Sequence, residues 1–250
     1  MSLKQNLANA VLGDIQPQST IGTSNQAVRE NWLKSQLESI PSGHRILDAG
    51  AGTTRYRKYC EHLKYVSQDF GQYDGQGDGE GLQTGSFDQS LLDIVCDIVD
   101  IPEETDSFDA VMCIEVLEHV PAPVDALKEL ARLLKPGGTL IVTAPFCSIT
   151  HYAPYFFQTG YSRYFYEHWL GEFGFEIEEI TPNGTYYEWL AQEIRRLPSL
   201  SKQIEGHGGI GHKRRRAMAE IIDWLAEMEG KSPNPSELLA LGLHVRAVKK

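Results

Sequence analysis

Residues 48–52 combine a carboxylate with a turn that is almost free of side chains. They directly follow the apolar Ile46-Leu47 pair and have the order Asp48-Ala49-Gly50-Ala51-Gly52. Glycines let a backbone approach a ligand closely and adopt positive φ, and a turn between strand and helix presents N–H groups to a polar ligand. Asp48 adds a fixed acceptor for an ammonium or hydroxyl group. The stretch therefore predicts a binding site for a small polar cofactor.

The residue at position 55 separates two classes of cofactor. A dinucleotide site uses the spacing G-x-G-x-x-G. Here Gly50 and Gly52 are followed by Arg55 where the third glycine would stand, and a convincing Tyr-x-x-x-Lys pair is missing. An NAD-dependent oxidoreductase is therefore the disfavoured hypothesis.

Two further acids follow predicted strands. Asp69 ends the predicted strand 65–69, roughly 20 residues beyond Asp48, which is the spacing of an acid that accepts hydrogen bonds from ribose hydroxyls. Asp97 ends the predicted strand 91–97 and precedes Ile98. A carboxylate there can accept from an exocyclic adenine amine while the aliphatic side chain packs on the ring. The acids together predict an adenosine-containing ligand.

The elements that position these residues alternate between strand and helix patterns. Residues 108–114 are nearly continuous in apolar side chains, as in a central parallel strand. Helical spacing of apolar residues indicates the helices. The predicted strands are 44–47, 65–69, 91–97, 108–114, 139–144, one opening at 174–177, and 243–248. The predicted helices are 24–40, 53–63, 123–134, one from 162, 186–196 and about 213–229. Such alternation predicts an α/β fold.

Composition excludes several classes. A length of 250 residues predicts one domain, and a net charge of −11 disfavours nucleic acid as the main partner. No apolar run is long enough for a membrane span, and no signal peptide begins the chain. The four cysteines are scattered without a C-x-x-C pair, which predicts reduced thiols in a cytoplasmic protein.

Taken together, these motifs resemble the class I S-adenosylmethionine (SAM) dependent methyltransferases over roughly residues 30–182. The block from Phe108 to His119, followed by Leu-Lys-Pro-Gly-Gly, resembles the small-molecule branch called type 11. One departure is Thr54, which stands where many members carry a third glycine. The motifs are Asp48-x-Gly50-x-Gly52, Asp69, Asp97-Ile98, Ser107-Phe108-Asp109, Glu115-x-x-Glu118-His119-Val120 and Leu134-Lys135-Pro136-Gly137-Gly138.

The resemblance implies a fold and a domain organisation. We expect a Rossmann-like, doubly wound α/β sheet of seven strands in the order 3-2-1-4-5-7-6, with the last strand antiparallel. A single domain would span residues 1–250, with an N-terminal extension and helix over 1–40. The unusually long stretch 183–240 before the last strand would form a helical insertion.

The resemblance also implies the cofactor, S-adenosyl-L-methionine, and the product S-adenosyl-L-homocysteine. Glu115 would lie beside the methionine moiety, through its backbone, and Arg55 would reach the methionine carboxylate. Asp69 would hold the ribose, and Asp97 with Ile98 the adenine. The rest of the methionine part would be held by Asp48, Ala49, Gly50 and Gly52.

The acceptor side is predicted in residues 145–170, where aromatics are dense. Loops at the carboxyl ends of strands four and five face the sulfonium methyl. Aromatic walls suit a planar substrate or the apolar face of a sugar, and Arg163 could hold a phosphate, although large apolar residues are commonly core. As proton acceptor for a hydroxyl nucleophile we expect His151 or His119, and less strongly Glu118.

We expect methyl transfer to a small-molecule acceptor, such as a sugar or an intermediate of bacterial surface-polysaccharide synthesis. The alternative is a SAM-binding regulatory or scaffold protein without turnover. No metal site is predicted, because acids 74–80 fail the EF-hand pattern and His207 and His212 stand alone among glycines. The basic run 213–216 indicates an anionic partner or a solvated face. The insertion and the N-terminal helix could each form a homodimer surface.

Overall fold

The computed structural model describes residues 16–206 and 210–250. Residues 1–15, most of the predicted N-terminal extension, lie outside the described residues, as does His207 of the predicted histidine pair. The strands are β1 Arg45–Ala49, β2 Lys64–Asp69, β3 Ile94–Val95, β4 Phe108–Ile114, β5 Leu134–Pro145, β6 Phe175–Asn183 and β7 Gly242–Lys249. The helices are α1 Asn25–Glu38, α2 Pro123–Leu133, α3 Arg163–Glu172, α4 Tyr186–Glu205 and α5 His212–Glu229. Short 3-10 helices are Arg57–Tyr59, Leu117–His119 and Pro235–Glu237.

All seven strands belong to one sheet, in the order β3-β2-β1-β4-β5-β7-β6. β1 pairs in parallel with β2 and β4, whereas β7 runs antiparallel to β5 and β6. The predicted fold class and strand order are therefore confirmed. Because β1 and β4 are central and parallel, their carboxyl ends meet at one edge of the sheet, where α/β folds bind ligands.

The two faces of β4 explain why its sequence is apolar throughout. Val111 packs into a cluster with the α2 side chains Leu127 and Leu130. Met112 packs on the opposite face with Leu33 and Leu37 of α1. All six side chains are fully buried, and each such burial stabilises the fold by about 1.5–3 kcal/mol. β4 is thereby fixed as the rigid centre from which the following loop extends.

The predicted helix 53–63 is wrong. The segment consists of turns and the single 3-10 helix Arg57–Tyr59. Thr54 has φ 55°, a left-handed conformation that a regular right-handed helix cannot contain and that a β-branched residue rarely adopts. Tyr56 and Cys60 of this segment are still buried. The spacing of apolar residues in the sequence therefore indicated which side chains are buried, and not a helix.

Other boundaries differ from the sequence prediction. The third strand is confined to Ile94–Val95 instead of 91–97, and Leu91 and Val95 are exposed at this edge of the sheet. β5 begins at Leu134, inside the predicted break. α4 continues to Glu205 through Pro198, although a proline inside a helix removes one hydrogen bond and crowds the preceding turn.

The chain divides into two compact units. One holds Gly184–Ala240 together with the described residues up to Gln26, and the other holds Ala27–Asn183 and Leu241–Lys250. In the smaller unit Ile21 packs with Ile222 and Leu225. Within the basic run, Arg216 pairs with Glu220 on the exposed surface of α5. None of the described helices has the length and apolarity that a bilayer crossing requires.

Candidate active site

A cavity of about 320 Å³ lies at the carboxyl ends of β1, β2 and β4. This is within the usual range of small-molecule sites. The structure brings seven of the predicted site residues to its wall, namely Gly50, Gly52, Asp69, Asp97, Ile98, Glu115 and His119. Four predicted residues are not part of the wall: Asp48, Ala49, Arg55 and His151.

The glycine turn fits the cavity because it carries no side chains. Gly50 has φ 77°, and a Cβ there would lie 2.4 Å from a methyl group of Val116. Gly52 has φ 53°, and a Cβ there would lie 2.8 Å from the ring of Phe87. Both the backbone conformation and the space therefore require glycine.

The N–H groups of the turn are used within the protein. Gly50 and Ala51 both donate to the carbonyl oxygen of Gln68, each at 2.8 Å. Gly52 donates to Asp69 Oδ2 at 2.9 Å. The expectation that this turn offers its N–H groups to the ligand is therefore wrong for these three residues, and what the turn provides is close approach.

Asp69 is held in place by donors on both carboxylate oxygens. Besides Gly52, the N–H of Gly71 lies 3.1 Å and the Gln89 amide 2.9 Å from Oδ1. Burial raises the pKa of Asp69, and these bonds oppose the rise. Asp69 is therefore fixed in one orientation, and it lines the cavity.

Asp48 is buried away from the cavity wall. The Tyr65 hydroxyl donates to its Oδ2 at 2.5 Å, which joins β1 to β2. Burial raises the pKa of Asp48 to about 7. Ala49 is buried in the core, and Arg55 forms a half-exposed ion pair with Glu30.

Asp97 and Ile98 follow β3 at the cavity edge. Ile98 is buried with only 6% of its surface exposed, while Asp97 is exposed and accepts from the N–H of Val99 at 3.2 Å. The pair thus offers one apolar surface and one carboxylate side by side.

Glu115 follows β4 in a strained conformation with φ 55°. Its carboxylate accepts from Arg29 Nη1 and from the Thr143 hydroxyl, both at 2.8 Å. Tyr152, which also lines the cavity, has φ 56°. Positive φ at non-glycine residues costs energy and tends to occur at functional sites, and the surrounding bonds hold this strain in place.

A cluster of three side chains stands beside the cavity: Glu118, His119 and His151, here called the histidine cluster. Glu118 Oε1 lies 3.7 Å from His119 Nε2 and 3.9 Å from His151 Nε2. Glu118 is fully buried, and burial together with the charge of Glu115 raises its pKa well above the usual range. Burial, and then the charge of His151, lowers the pKa of His119 to about 4. His119 is therefore neutral near pH 7.

Aromatic rings form the opposite part of the wall. Tyr152 stacks on His119 with 5.1 Å between ring centroids and on Tyr73 with 4.8 Å, and Phe87 meets Tyr73 edge to face. Sequence reasoning missed Tyr73 and Phe87, which belong to the glycine-rich stretch 71–90. The signal available was that these aromatics stand among glycines and acids.

The aromatic stretch after β5 divides between cavity and core. Tyr152, Tyr155 and Phe157 line the cavity, whereas Tyr161 and Tyr166 are buried in the main hydrophobic cluster. Arg163 and His168 lie on exposed positions of α3, and Arg163 is 3.8 Å from Glu167. The first half of the stretch faces the site, and the second half stabilises the fold.

Residues 47–142 match a family model that is described as a methyltransferase domain. A ubiquinone biosynthesis O-methyltransferase of Xanthomonas axonopodis pv. citri is 32% identical over 123 residues, covering 46% of this chain and 48% of that protein. A mouse protein named tRNA (carboxymethyluridine(34)-5-O)-methyltransferase is 31% identical over 109 residues, or 42% of this chain and 15% of that protein. The chain spans less than half the length of these relatives.

Solved structures share the fold over the whole chain. A putative sarcosine dimethylglycine methyltransferase from Galdieria sulphuraria has a TM-score of 0.56 at 14% identity, with 100% of this chain and 99% of that chain covered. The [4+2]-cyclase SpnF has a TM-score of 0.56 at 18% identity, with 98% and 92% covered. At these identities the likeness establishes the fold.

Proposed function

We infer that this chain, whose residues 47–142 match a family model described as a methyltransferase domain, transfers a methyl group from S-adenosylmethionine to a small-molecule acceptor. The match to a methyltransferase domain supports the family and the cofactor that the sequence predicts, and the strand order agrees with them. The acceptor and the role of each site residue are our proposal.

The observation that carries the proposal is the convergence of the predicted cofactor residues on one cavity. We propose that Asp69 accepts from the ribose hydroxyls and that Ile98 packs on the adenine beside Asp97. Support comes from their shared wall and from the donors that hold the Asp69 carboxylate in one orientation. The methionine part would lie along the bare surface of Gly50 and Gly52, next to the backbone of Glu115.

The reaction needs little covalent chemistry from the protein. The SAM methyl group is already electrophilic, so holding a nucleophile in line with it supplies most of the acceleration. A hydroxyl nucleophile must also lose its proton. His119, neutral and in the cavity wall, and His151 behind it are the residues that we propose for this step.

The wall chemistry favours an uncharged acceptor with a planar or apolar face. Tyr73, Tyr152 and Phe87 supply that surface, and none of the described lining residues is a lysine or arginine. We propose O-methylation of a ring hydroxyl on a sugar, a polysaccharide intermediate or a phenol. The O-methyltransferase relatives support this choice, while the net charge of −11 argues against tRNA.

We further propose a cytoplasmic location and a homodimer. The location is supported by the four cysteines, none of which forms a disulfide in the described part of the chain. Exposed apolar residues on α4 and α5, Leu197 and Trp224, support a partner surface in the smaller unit.

The test is transfer of labelled methyl from SAM into a panel of free sugars, nucleotide sugars and phenols. Label in one acceptor class supports the proposal and defines the substrate. The control is Gly50→Val, which fills the cofactor site, because the added side chain meets Val116. Failure of SAM to bind the parent protein would contradict the proposal altogether.

A second candidate is a SAM-binding protein that does not transfer methyl groups. It is favoured by the similarity to a protein named as a cyclase, since a shared fold does not fix the reaction. Tight SAM binding without label transfer to any acceptor class would support this candidate over the first.

A further inference from the structure

The histidine cluster combines one carboxylate and two imidazoles from separate parts of the chain. Glu118 and His119 belong to the 3-10 helix after β4, and His151 lies in the loop after β5. One ligand atom from each residue lies within 4.8 Å of the other two. This is the only such group of three histidine, cysteine or acidic side chains among the described residues.

Both imidazoles turn the same nitrogen away from the cluster. His119 Nδ1 lies 2.6 Å from the carbonyl oxygen of Tyr155, and His151 Nδ1 lies 2.9 Å from that of Ile149. A carbonyl oxygen only accepts, so each Nδ1 carries the hydrogen and each neutral Nε2 presents a lone pair. A backbone carbonyl on the remote nitrogen is the usual support of a metal-binding histidine.

The carboxylate faces these lone pairs without a hydrogen-bond donor of its own. Glu118 is 0% exposed, and neither of its side-chain oxygens has a donor among the described residues. A buried charge without a partner is costly. Three acceptor atoms that converge on one point need a positive group between them.

We propose that Glu118, His119 and His151 bind one divalent transition-metal ion, with Zn²⁺ as the best match. Two imidazoles and a carboxylate are a known catalytic zinc set, in which a fourth position stays open. Bonds of about 2.0–2.2 Å in a tetrahedron put ligand atoms about 3.4 Å apart. The Glu118 distances of 3.7 and 3.9 Å need only small side-chain shifts.

The open position faces the cavity, because His119 lines it and stacks on Tyr152. Here the inference rests on the proposed function: the acceptor would bind the ion through the oxygen that becomes methylated. Binding lowers the pKa of that hydroxyl, so with the ion bound His119 and His151 assist proton loss as ligands of the ion and not as bases, and the proton leaves to solvent. The oxygen then forms the new C–O bond while the C–S bond breaks, and its electron pair stays on sulfur in S-adenosylhomocysteine.

The test is a Co²⁺ titration of the full chain, freed of metal with a chelator and followed by visible absorption and calorimetry. We expect one ion per chain, with the intense absorption of a four- or five-coordinate nitrogen and oxygen site. Zn²⁺ should displace it. His119→Ala, His151→Ala and Glu118→Gln should each weaken binding at least about tenfold.

Two controls keep the result interpretable. Glu118→Gln preserves side-chain shape and therefore folding, which circular dichroism checks. His168→Ala removes an exposed histidine of α3 and should leave affinity unchanged. The proposal is overturned if the parent binds no tighter than the three cluster variants, or if thiolate-to-cobalt bands place the ion on a cysteine.

SAM binding measured on the same samples separates this inference from the proposed function. SAM binding without metal binding overturns the metal site and leaves the methyltransferase proposal standing. Metal binding that depends on the cluster supports the site even if SAM does not bind.

Discussion

Two regions at the same edge of the sheet supply their buried or half-buried acids with hydrogen bonds in opposite ways. On the cofactor edge, defined here by Asp48, Asp69 and Glu115, every carboxylate accepts from at least one donor. In the histidine cluster, Glu118 accepts from none among the described residues. Both groups belong to a rigid frame, so the difference does not come from poor packing.

The difference separates acids that the protein's own donors hold in place from an acid without such donors. Donors from strands and loops fix Asp69 and Glu115 in shape before any ligand binds, as preorganisation requires. Glu118 is buried without a hydrogen-bond donor among the described residues. Its buried charge is therefore neutralised only when a proton or a cation binds to it. The burial of the side chains does not by itself distinguish these two regions, whereas their hydrogen-bond donors do.

The largest expected effect comes from His151→Ala, which removes one side of the histidine cluster. Methyl transfer should fall about 10²–10⁴-fold, the range for a residue that assists proton removal. The dissociation constant of SAM should stay within about twofold, because His151 does not line the cavity. Labelled-methyl kinetics and calorimetry measure the two. A parallel loss of SAM affinity would show that the histidine cluster also contributes to cofactor binding, which would contradict the proposed difference between the two regions.

The cofactor edge is tested through the effect of Asp48 on the pH dependence of the free energy of unfolding. Burial raises the pKa of Asp48 from 3.8 to about 7, so its protonated form favours folding. That stabilisation is full below the unfolded pKa and is lost as pH rises through 7. Between pH 5 and 7 the parent should lose about 2 kcal/mol relative to Asp48→Asn, at up to about 1.4 kcal/mol per pH unit.

Urea unfolding of both proteins across this pH range provides the measurement. The asparagine keeps an oxygen for the Tyr65 hydroxyl, so the variant differs mainly in charge. Equal pH slopes for the two proteins would mean that Asp48 is not the buried acid described here.

The glycine turn is tested by Gly50→Ala against Gly43→Ala. Both residues have positive φ, but a Cβ at Gly50 would meet Val116 at 2.4 Å while nothing lies within 4 Å of one at Gly43. Gly43→Ala should cost about 1 kcal/mol from backbone strain. Gly50→Ala should cost about 1–2 kcal/mol more and weaken SAM about tenfold. Matching effects in the two variants would show that close approach does not matter.

The smallest effect is expected for Arg55→Ala. The sequence predicts a contact with the methionine carboxylate, yet the structure pairs Arg55 with Glu30 on a half-exposed surface. Such pairs contribute about 0–1 kcal/mol, so stability should change by less than about 0.5 kcal/mol and SAM affinity by less than about twofold. A tenfold loss of SAM affinity, measured by calorimetry, would show that Arg55 contacts the cofactor as the sequence predicts.

Elements with strong local signals were predicted correctly. β4 agrees residue for residue, because an apolar run of this length between polar loops fits only a buried strand. The segment after Gly52 was mistaken for a helix, because burial of Tyr56 and Cys60 imitates helical spacing. The positive φ of Thr54 distinguishes the observed series of turns from a helix. That angle depends on contacts from elsewhere in the fold.

The sequence by itself determined the sheet, the glycine turn and the acids at the strand ends, because each is encoded by residues that are neighbours in the chain. The tertiary structure decided which of those residues reach the cavity, withdrawing Asp48 and Arg55 and adding Tyr73 and Phe87. It also decided that His151 meets Glu118 and His119. That meeting depends on how the loops after β4 and β5 fold over one edge of the sheet, and such long-range packing has no periodic signal in the sequence.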